Sequence, residues 1–176
     1  MGDRAGVAQL VEHFIRNEGV IGSSPIVGSP PPFMNDPSAP LLRNGHLDDV
    51  EAALDLWRRA EASPSSTESV EDLRGLLERD PEALIVAEAG GVIVGTLIVG
   101  WDGWRATFYR LAVDPAHRRN GLATALVRAG EERLGALGAH RLNAIAESHK
   151  EGAMAFWASV GYELQTSRSR FVKNLP

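Results

Sequence analysis

The chain has 176 residues, a formal net charge of −5 and no cysteine. That length suits one domain with an ordinary core, and the missing thiols exclude disulfides and cysteine chemistry and fit a cytoplasmic protein. No apolar run is long enough to span a bilayer; the mild acidity argues against a nucleic-acid surface and steers weakly toward amine-bearing partners, although a plain acidic surface explains it as well.

Residues 1–33 read differently from the rest. Val7-Ala8-Gln9-Leu10-Val11-Glu12-His13 back-translates as GTA-GCT-CAG-CTG-GTA-GAG-CAC, which spells the D-arm of a transfer RNA gene. Gly22-Ser23-Ser24-Pro25 back-translates as GGT-TCG-AGT-CCT, the T-arm, at a spacing that fits a tRNA. The segment therefore reads as a tRNA gene translated from a start site set too early, with Met34 as the authentic start. A real helix is the rival, since Val7, Leu10, Val11 and Phe14 have helical spacing. A signal peptide is disfavoured because Glu12 and His13 interrupt the apolar run. Ser29-Pro30-Pro31-Pro32 reads as an extended linker. Residues 1–39 are expected to be a disordered extension without function, and 40–176 a single domain.

Within that domain, Pro40 to Arg43 is a short first strand. His46 to Ala62 is an amphipathic helix burying Leu47, Val50, Leu54 and Trp57. Thr67 is a candidate N-cap for a second helix through Arg79, which Asp80-Pro81 stops. Leu84 to Glu88 and Val92 to Val99 form a hairpin about Ala89-Gly90-Gly91. Gly100 to Trp104 is a second turn, and Arg105 to Val113 the next strand. That turn holds Asp102 between two Trp, which reads first as Asp-Gly turn chemistry and second as an ammonium subsite. A helix follows from Gly121 to Gly138, with Ala123, Leu126, Val127, Leu134 and Leu137 inward. Arg141 to Glu147 is a strand, and a further helix ends at Val160. Glu163 to Thr166 and Arg168 to Lys173 are expected to close the sheet as a hairpin. Strand, crossover helix and strand from Arg105 to Glu147 form a βαβ unit with a parallel pair.

The chemistry concentrates at the junction of that unit. A strand entering a helix through a Gly-containing loop aims backbone N–H groups and the positive end of the helix dipole at one point, where a phosphate can sit. Gly121 permits close backbone approach, and Arg118 and Arg119 add suitable charge. An ordinary strand–turn–helix junction with solvated arginines is the plainer reading. No Lys-Ser/Thr follows Gly121, so it is not a Walker loop. Downstream, Ala153, Phe156, Trp157 and Val160 line one helix face, and Gly161 is placed to end that helix.

The spacing Arg118-x-x-Gly121-x-Ala123 resembles the diphosphate loop of the GNAT superfamily of acetyl-CoA-dependent N-acetyltransferases. Ala153-x-x-Phe156-Trp157-x-x-x-Gly161-Tyr162 resembles its second signature, in the right order and at the right separation. The resemblance covers about Leu41 to the C-terminus. It implies an α/β, three-layer GNAT fold: a mixed, mostly antiparallel sheet with one splayed parallel pair and helices on both faces. It implies acetyl-CoA as co-substrate, with no metal. The pantetheine arm would pair with Leu111, Ala112 and Val113, and the diphosphate would sit on the amides of Arg118, Arg119, Asn120, Gly121, Leu122, Ala123 and Thr124. A backbone N–H near Leu111 or Ala112 would hold the oxyanion.

The same resemblance exposes two departures. Trp157 stands where the family often has the tyrosine that protonates the leaving thiolate, and Lys150 where it commonly has asparagine. Tyr109, which shares strand parity with Leu111, and Glu147, at the end of the next strand, are the substitute candidates. The plainer readings are a packing aromatic for Tyr109, a solvated strand end for Glu147 and a core residue for Trp157. His149 reads as solvated. The implied activity is transfer of an acetyl group from acetyl-CoA to a primary amine, on a small molecule or a protein N-terminus, by direct attack in a ternary complex. The alternative is a non-catalytic acyl-CoA-binding or sensor module; a nucleotide-binding domain lacks any base- or ribose-recognition motif. A homodimer is compatible with the fold; a nucleic-acid or membrane partner is not expected.

Overall fold

The computed structural model describes residues 39–174. The tRNA-like spelling, the Pro-rich linker and the start at Met34 lie outside the described residues. The elements run β1 (Leu41–Asn44), a 3-10 turn (Leu47–Asp49), α1 (Val50–Arg59), α2 (Val70–Arg79), β2 (Leu84–Ala89), β3 (Val92–Trp101) and β4 (Ala106–Val113). A second 3-10 turn (Pro115–His117) leads to α3 (Leu122–Ala136), β5 (Leu142–Ala144) and α4 (Glu151–Ser159). The five strands lie side by side in chain order. All neighbours are antiparallel except β4 and β5.

The apolar runs of β2 and β3 are near-continuous because both faces of the sheet are covered. On one face Leu84, Val86, Ile93, Ile98 and Ala112 pack with Val50, Leu54, Leu56 and Trp57 of α1 and Leu73 and Leu77 of α2. On the other, Ile85, Ala87, Leu97, Val99 and Phe108 pack with Leu122, Leu126, Val127 and Leu134 of α3. Phe156, Trp157 and Val160 of α4 close over that second cluster. The α3 helix lies very near the sheet at Gly130, where a Cβ would stand 2.8 Å from Phe108 Cε1. Among the described residues no helix is long and apolar enough to cross a membrane.

Several boundaries differ from expectation. The first helix starts as a 3-10 turn, in which the His46 amide donates to Asp49 Oδ2 at 2.8 Å, and Leu47 is consequently exposed rather than core. It ends at Arg59 because Ala62 N–H reaches Trp57 O (3.0 Å) and Glu61 N–H reaches Arg58 O (3.2 Å), a Schellman closure. That closure puts a non-glycine residue, Glu61, at φ 56°. The N-cap of α2 is Ser69, not Thr67: Ser69 Oγ accepts from Asp72 N–H and Asp72 Oδ2 accepts from Ser69 N–H, a reciprocal capping box. Leu137 lies past the end of α3 and is exposed. The C-terminal hairpin is absent: residues 163–174 have no strand pairing. Alternation alone does not make a strand; Phe171, at 94 % exposed, and Leu164 and Val172 find no apolar surface to cover.

One polar residue is buried within this frame. Thr96 is 0 % exposed. Its hydroxyl accepts from Trp57 Nε1–H at 2.9 Å and donates to Arg110 O at 3.2 Å, linking α1, β3 and β4. Thr96→Val, similar in shape, strands both end groups and should lower stability by about 1–3 kcal/mol. Urea unfolding measures this, and an unchanged midpoint would refute the role assigned to the link.

Candidate active site

The site begins with a break in the sheet. β4 and β5 pair only from Ala106–Leu142 to Phe108–Ala144, with Asn143 Nδ2 donating to Ala106 O at 3.0 Å. Beyond Phe108, residues 109–113 keep β3 on one edge and carry no strand on the other among the described residues. A groove therefore opens between the second half of β4 and residues 145–147.

That half of β4 is bulged. Thr96 faces Ala112 and Ile98 faces Tyr109, so Leu97 stands opposite both Arg110 and Leu111. Arg110 takes φ 51° to accommodate the extra residue. The bulge overturns the expected parity. Tyr109 pairs with Ile98 on the α1–α2 face, whereas Leu111 packs into the α3 cluster. Leu111 and Val113 line one side of the strand and Ala112 the other. Tyr109 is 41 % exposed and its ring covers Gly100, where a Cβ would stand 3.2 Å from Tyr109 Cε2.

At the end of β4, Asp114 Oδ1 accepts from Ala116 N–H at 3.0 Å, and its other oxygen accepts from Arg59 at 3.1 Å. The Ala116 amide first, and then Arg59, hold the Asp114 carboxyl below its ordinary range. The chain then turns through Arg119 (φ 67°) and Gly121 (φ 78°) into α3. Gly121 is the N-cap, in the left-handed conformation that glycine adopts without steric cost. Among the described residues, the amides of Arg119, Asn120, Gly121, Leu122, Ala123 and Thr124 have no hydrogen-bond acceptor; the first helical bond runs from Ala125 N–H to Gly121 O. Arg119 and Asn120 are exposed, while Ala123 and Thr124 are half-buried in the first turn. Arg118 is turned elsewhere: its Nε donates to Val113 O and its Nη2 to Ala60 O, both at 3.1 Å.

Across the groove, Glu147 lies beyond the end of β5 and pairs with Lys150 at 3.0 Å. The Ser63 hydroxyl first, and then Lys150, hold its carboxyl below the ordinary 4.5. Arg110 pairs with Glu68, donates to Ser63 O at 2.9 Å and lies 5.4 Å from the Trp57 ring centroid. Arg110, Glu68, Ser63 and Thr96 were not singled out by sequence. The available signals were a threonine inside an unbroken apolar run and an arginine inside an apolar strand.

Two other sequence features have structural roles. Asp102 Oδ1 accepts from Trp104 N–H (2.8 Å) and Arg105 N–H (2.6 Å), so its carboxylate is spent on the turn. Arg105 already stacks 4.1 Å over the exposed Trp104 ring. Trp157 stacks on Phe108 at 6.2 Å and meets Tyr162 edge-on at 4.9 Å. Tyr162 Oη in turn hydrogen-bonds Glu131 at 3.0 Å, and burial with that partner pushes its pKa up. Among the described residues no cluster of His, Cys, Asp and Glu is arranged to hold a metal ion.

Comparison with known proteins agrees on the fold. The profile of the Acetyltransferase (GNAT) family matches residues 50–162. An acetyltransferase from Sodalis glossinidius is 32 % identical over 120 residues, covering 68 % of this chain and 84 % of the relative. Among solved structures, AAC(6')-Iy in complex with the bisubstrate analogue CoA-S-monomethyl-acetylneamine aligns with a TM-score of 0.64 at 18 % identity, over 79 % of this chain and 100 % of that one. The ribosomal-protein-S18-alanine N-acetyltransferase of Escherichia coli aligns with a TM-score of 0.59 at 23 % identity, over 72 % and 79 %. The chain belongs to the GNAT family. It is an acetyltransferase.

The ring stack gives Trp157 a packing role. Trp157→Phe should lower stability by about 1–3 kcal/mol, as for a large core ring made smaller, and leave CoA affinity unchanged. Paired denaturation and calorimetry check this; lost CoA affinity with intact stability would place the indole in the site instead.

Proposed function

We propose that the enzyme moves the acetyl group of acetyl-CoA to a primary amine by direct attack within a ternary complex. The single observation that carries this reading is the row of unpartnered amides from Arg119 to Thr124 at the mouth of the β4–β5 split. Those amides, with the dipole of α3, suit a diphosphate, and the edge at Leu111, Ala112 and Val113, which carries no strand and of which Arg118 holds the Val113 carbonyl, suits the amides of a pantetheine arm. The AAC(6')-Iy neighbour, whose ligand joins CoA to an aminoglycoside, supports the same class of co-substrate and acceptor. The S18-alanine N-acetyltransferase supports a protein N-terminus as the alternative acceptor.

In this mechanism the amine lone pair attacks the thioester carbonyl. A backbone N–H at the bulge, near Leu111 or Ala112, stabilises the oxyanion; one such donor is worth about 10²–10³ in rate. The C–S bond then breaks, the amine proton leaves to water, and the CoA thiolate departs and is reprotonated. Holding the two reactants in line supplies about 7–11 kcal/mol, more than any single proton donor here. Tyr109, half-open on the α1–α2 face, is the proposed acid for the thiolate. Trp157 offers no acidic hydroxyl at the family's usual position. Glu147, kept ionised by Ser63 and Lys150, is too weak a base to deprotonate an ammonium by itself. Its proposed part is to draw the cationic acceptor in and to pass on to water the proton that the amine sheds once it has attacked the thioester.

Two measurements test this reading. Gly121→Glu puts bulk and negative charge at the amide row, so CoA binding by calorimetry should be lost while far-UV circular dichroism stays native; retained affinity would remove the loop assignment. The pH profile tests the carboxylate. Because Glu147 titrates below its ordinary value, it is ionised throughout about pH 6–9, whereas a primary ammonium near 10 is not yet deprotonated. kcat/KM should therefore rise about tenfold per pH unit over that window and shift with the acceptor's own pKa. A rising limb that stays near neutrality for acceptors of different basicity would point to another base.

A further inference from the structure

Three cations converge on the turn that ends α1. Arg118 Nη2 donates to Ala60 O at 3.1 Å, Lys150 Nζ to Glu61 O at 2.9 Å, and Arg110 Nη1 to Ser63 O at 2.9 Å. Among the described residues these three carbonyls have no backbone donor. Ala60 O, at the C-cap, carries the negative end of the α1 dipole, which favours a cation, and Glu61 O and Ser63 O lie just past it. Helices often end beside a basic residue of their own. Here all three cations are distant in sequence, and each comes from a different border of the groove: the β4 bulge, the loop before α3, and the segment between β5 and α4. Glu61 holds φ 56° within this turn, a conformation costly for a non-glycine residue that persists only where its surroundings over-determine it.

We propose that Arg118, Lys150 and Arg110 are positioning residues that hold residues 60–63 as the outer wall of the groove, and that the Arg118 guanidinium serves this wall rather than the diphosphate. The functional meaning of the wall rests on the acetyl-transfer reading above. Sequence reasoning assigns Arg118 and Arg119 together to phosphate. The geometry separates them. Arg118 bridges Val113 O, on the proposed pantetheine-binding edge, to Ala60 O at the end of α1. Arg119 is exposed beside the free amides and is the cation left for the diphosphate. Lys150 has a second attachment, its ion pair with Glu147, so one ammonium fixes both the wall and the carboxylate that meets the wall at Ser63.

The test crosses two readouts on the full chain: the dissociation constant for CoA, and hydrogen exchange of the amides at 60–66. Arg118→Ala should leave the CoA constant within about twofold and speed exchange at 60–66 by about tenfold or more. Arg119→Ala should do the reverse, weakening CoA about fivefold or more with exchange unchanged. Lys150→Met should speed exchange like Arg118→Ala, and Lys150→Arg should restore protection, a rescue that general destabilisation would not give. The proposal is overturned if Arg118→Ala weakens CoA as much as Arg119→Ala does, or if neither Arg118→Ala nor Lys150→Met alters exchange. Should Arg118→Ala fail to fold, the Lys150 pair decides the matter. If the wild-type protein binds no CoA, the acetyl-transfer reading falls, while the exchange measurements still decide whether the cations hold the wall.

Discussion

The hydrogen-bonded link from the Trp57 indole through the Thr96 hydroxyl to the Arg110 carbonyl is what the rest of the site depends on. It lies in a fully buried position, where leaving either end group without a partner costs about 1–3 kcal/mol. That is enough to offset the left-handed backbone of Arg110, which costs about 1–2 kcal/mol. The link therefore selects the bulged form of β4 over a regular one. Everything beyond the bulge follows. Leu111 and Val113 turn to the α3 core, Ala112 to the α1 core, and the strand edge that a regular ladder would offer to β5 is left open.

Charge then finishes what the bulge begins. Arg110 continues from the buried link outward, over the Trp57 ring to Ser63 O and Glu68. Burial pulls the pKa of its guanidinium down, the charge of Glu147 opposes that, and Glu68 pairs with it directly. The loop before α3 has the opposite logic. Asp114 and the Ala116 amide lock its entrance, while the six amides from Arg119 to Thr124 are left without acceptors among the described residues. A helix start with no side-chain cap is a local cost. In the proposed mechanism those amides receive the diphosphate, and the chain reaches them through the positive φ of Arg119 and Gly121.

Much of this was legible before any coordinates. Element order through α4, the β2–β3 hairpin about Gly90-Gly91 and the closure of α4 at Gly161 all follow from periodicity and glycine placement, because those signals are local. The face of Tyr109 was not legible. A one-residue bulge inverts parity, and its cause is a buried threonine on another strand, which no local pattern encodes. The role of Arg118 escaped for a similar reason: an arginine beside a Gly-rich loop suggests phosphate, and nothing nearby announces a carbonyl from α1. The hairpin expected after Tyr162 failed in the other direction. Its alternation is real, but alternation counts only where one face is buried, and Leu164, Phe171 and Val172 stay in solvent.

The order of the strands has a consequence for how the molecule holds together. β2, β3 and β4 follow one another as a meander of hairpins, each closing a short loop. β1 reaches β2 only across α1 and α2, and β5 reaches β4 only across α3, where a three-residue ladder stitches it. The proposed site thus lies where the meander meets a strand brought in from farther along the chain. Both hydrophobic cores draw most of their strand residues from the meander. The β4–β5 ladder is the shortest in the sheet, and β5 supplies no fully buried residue to either core.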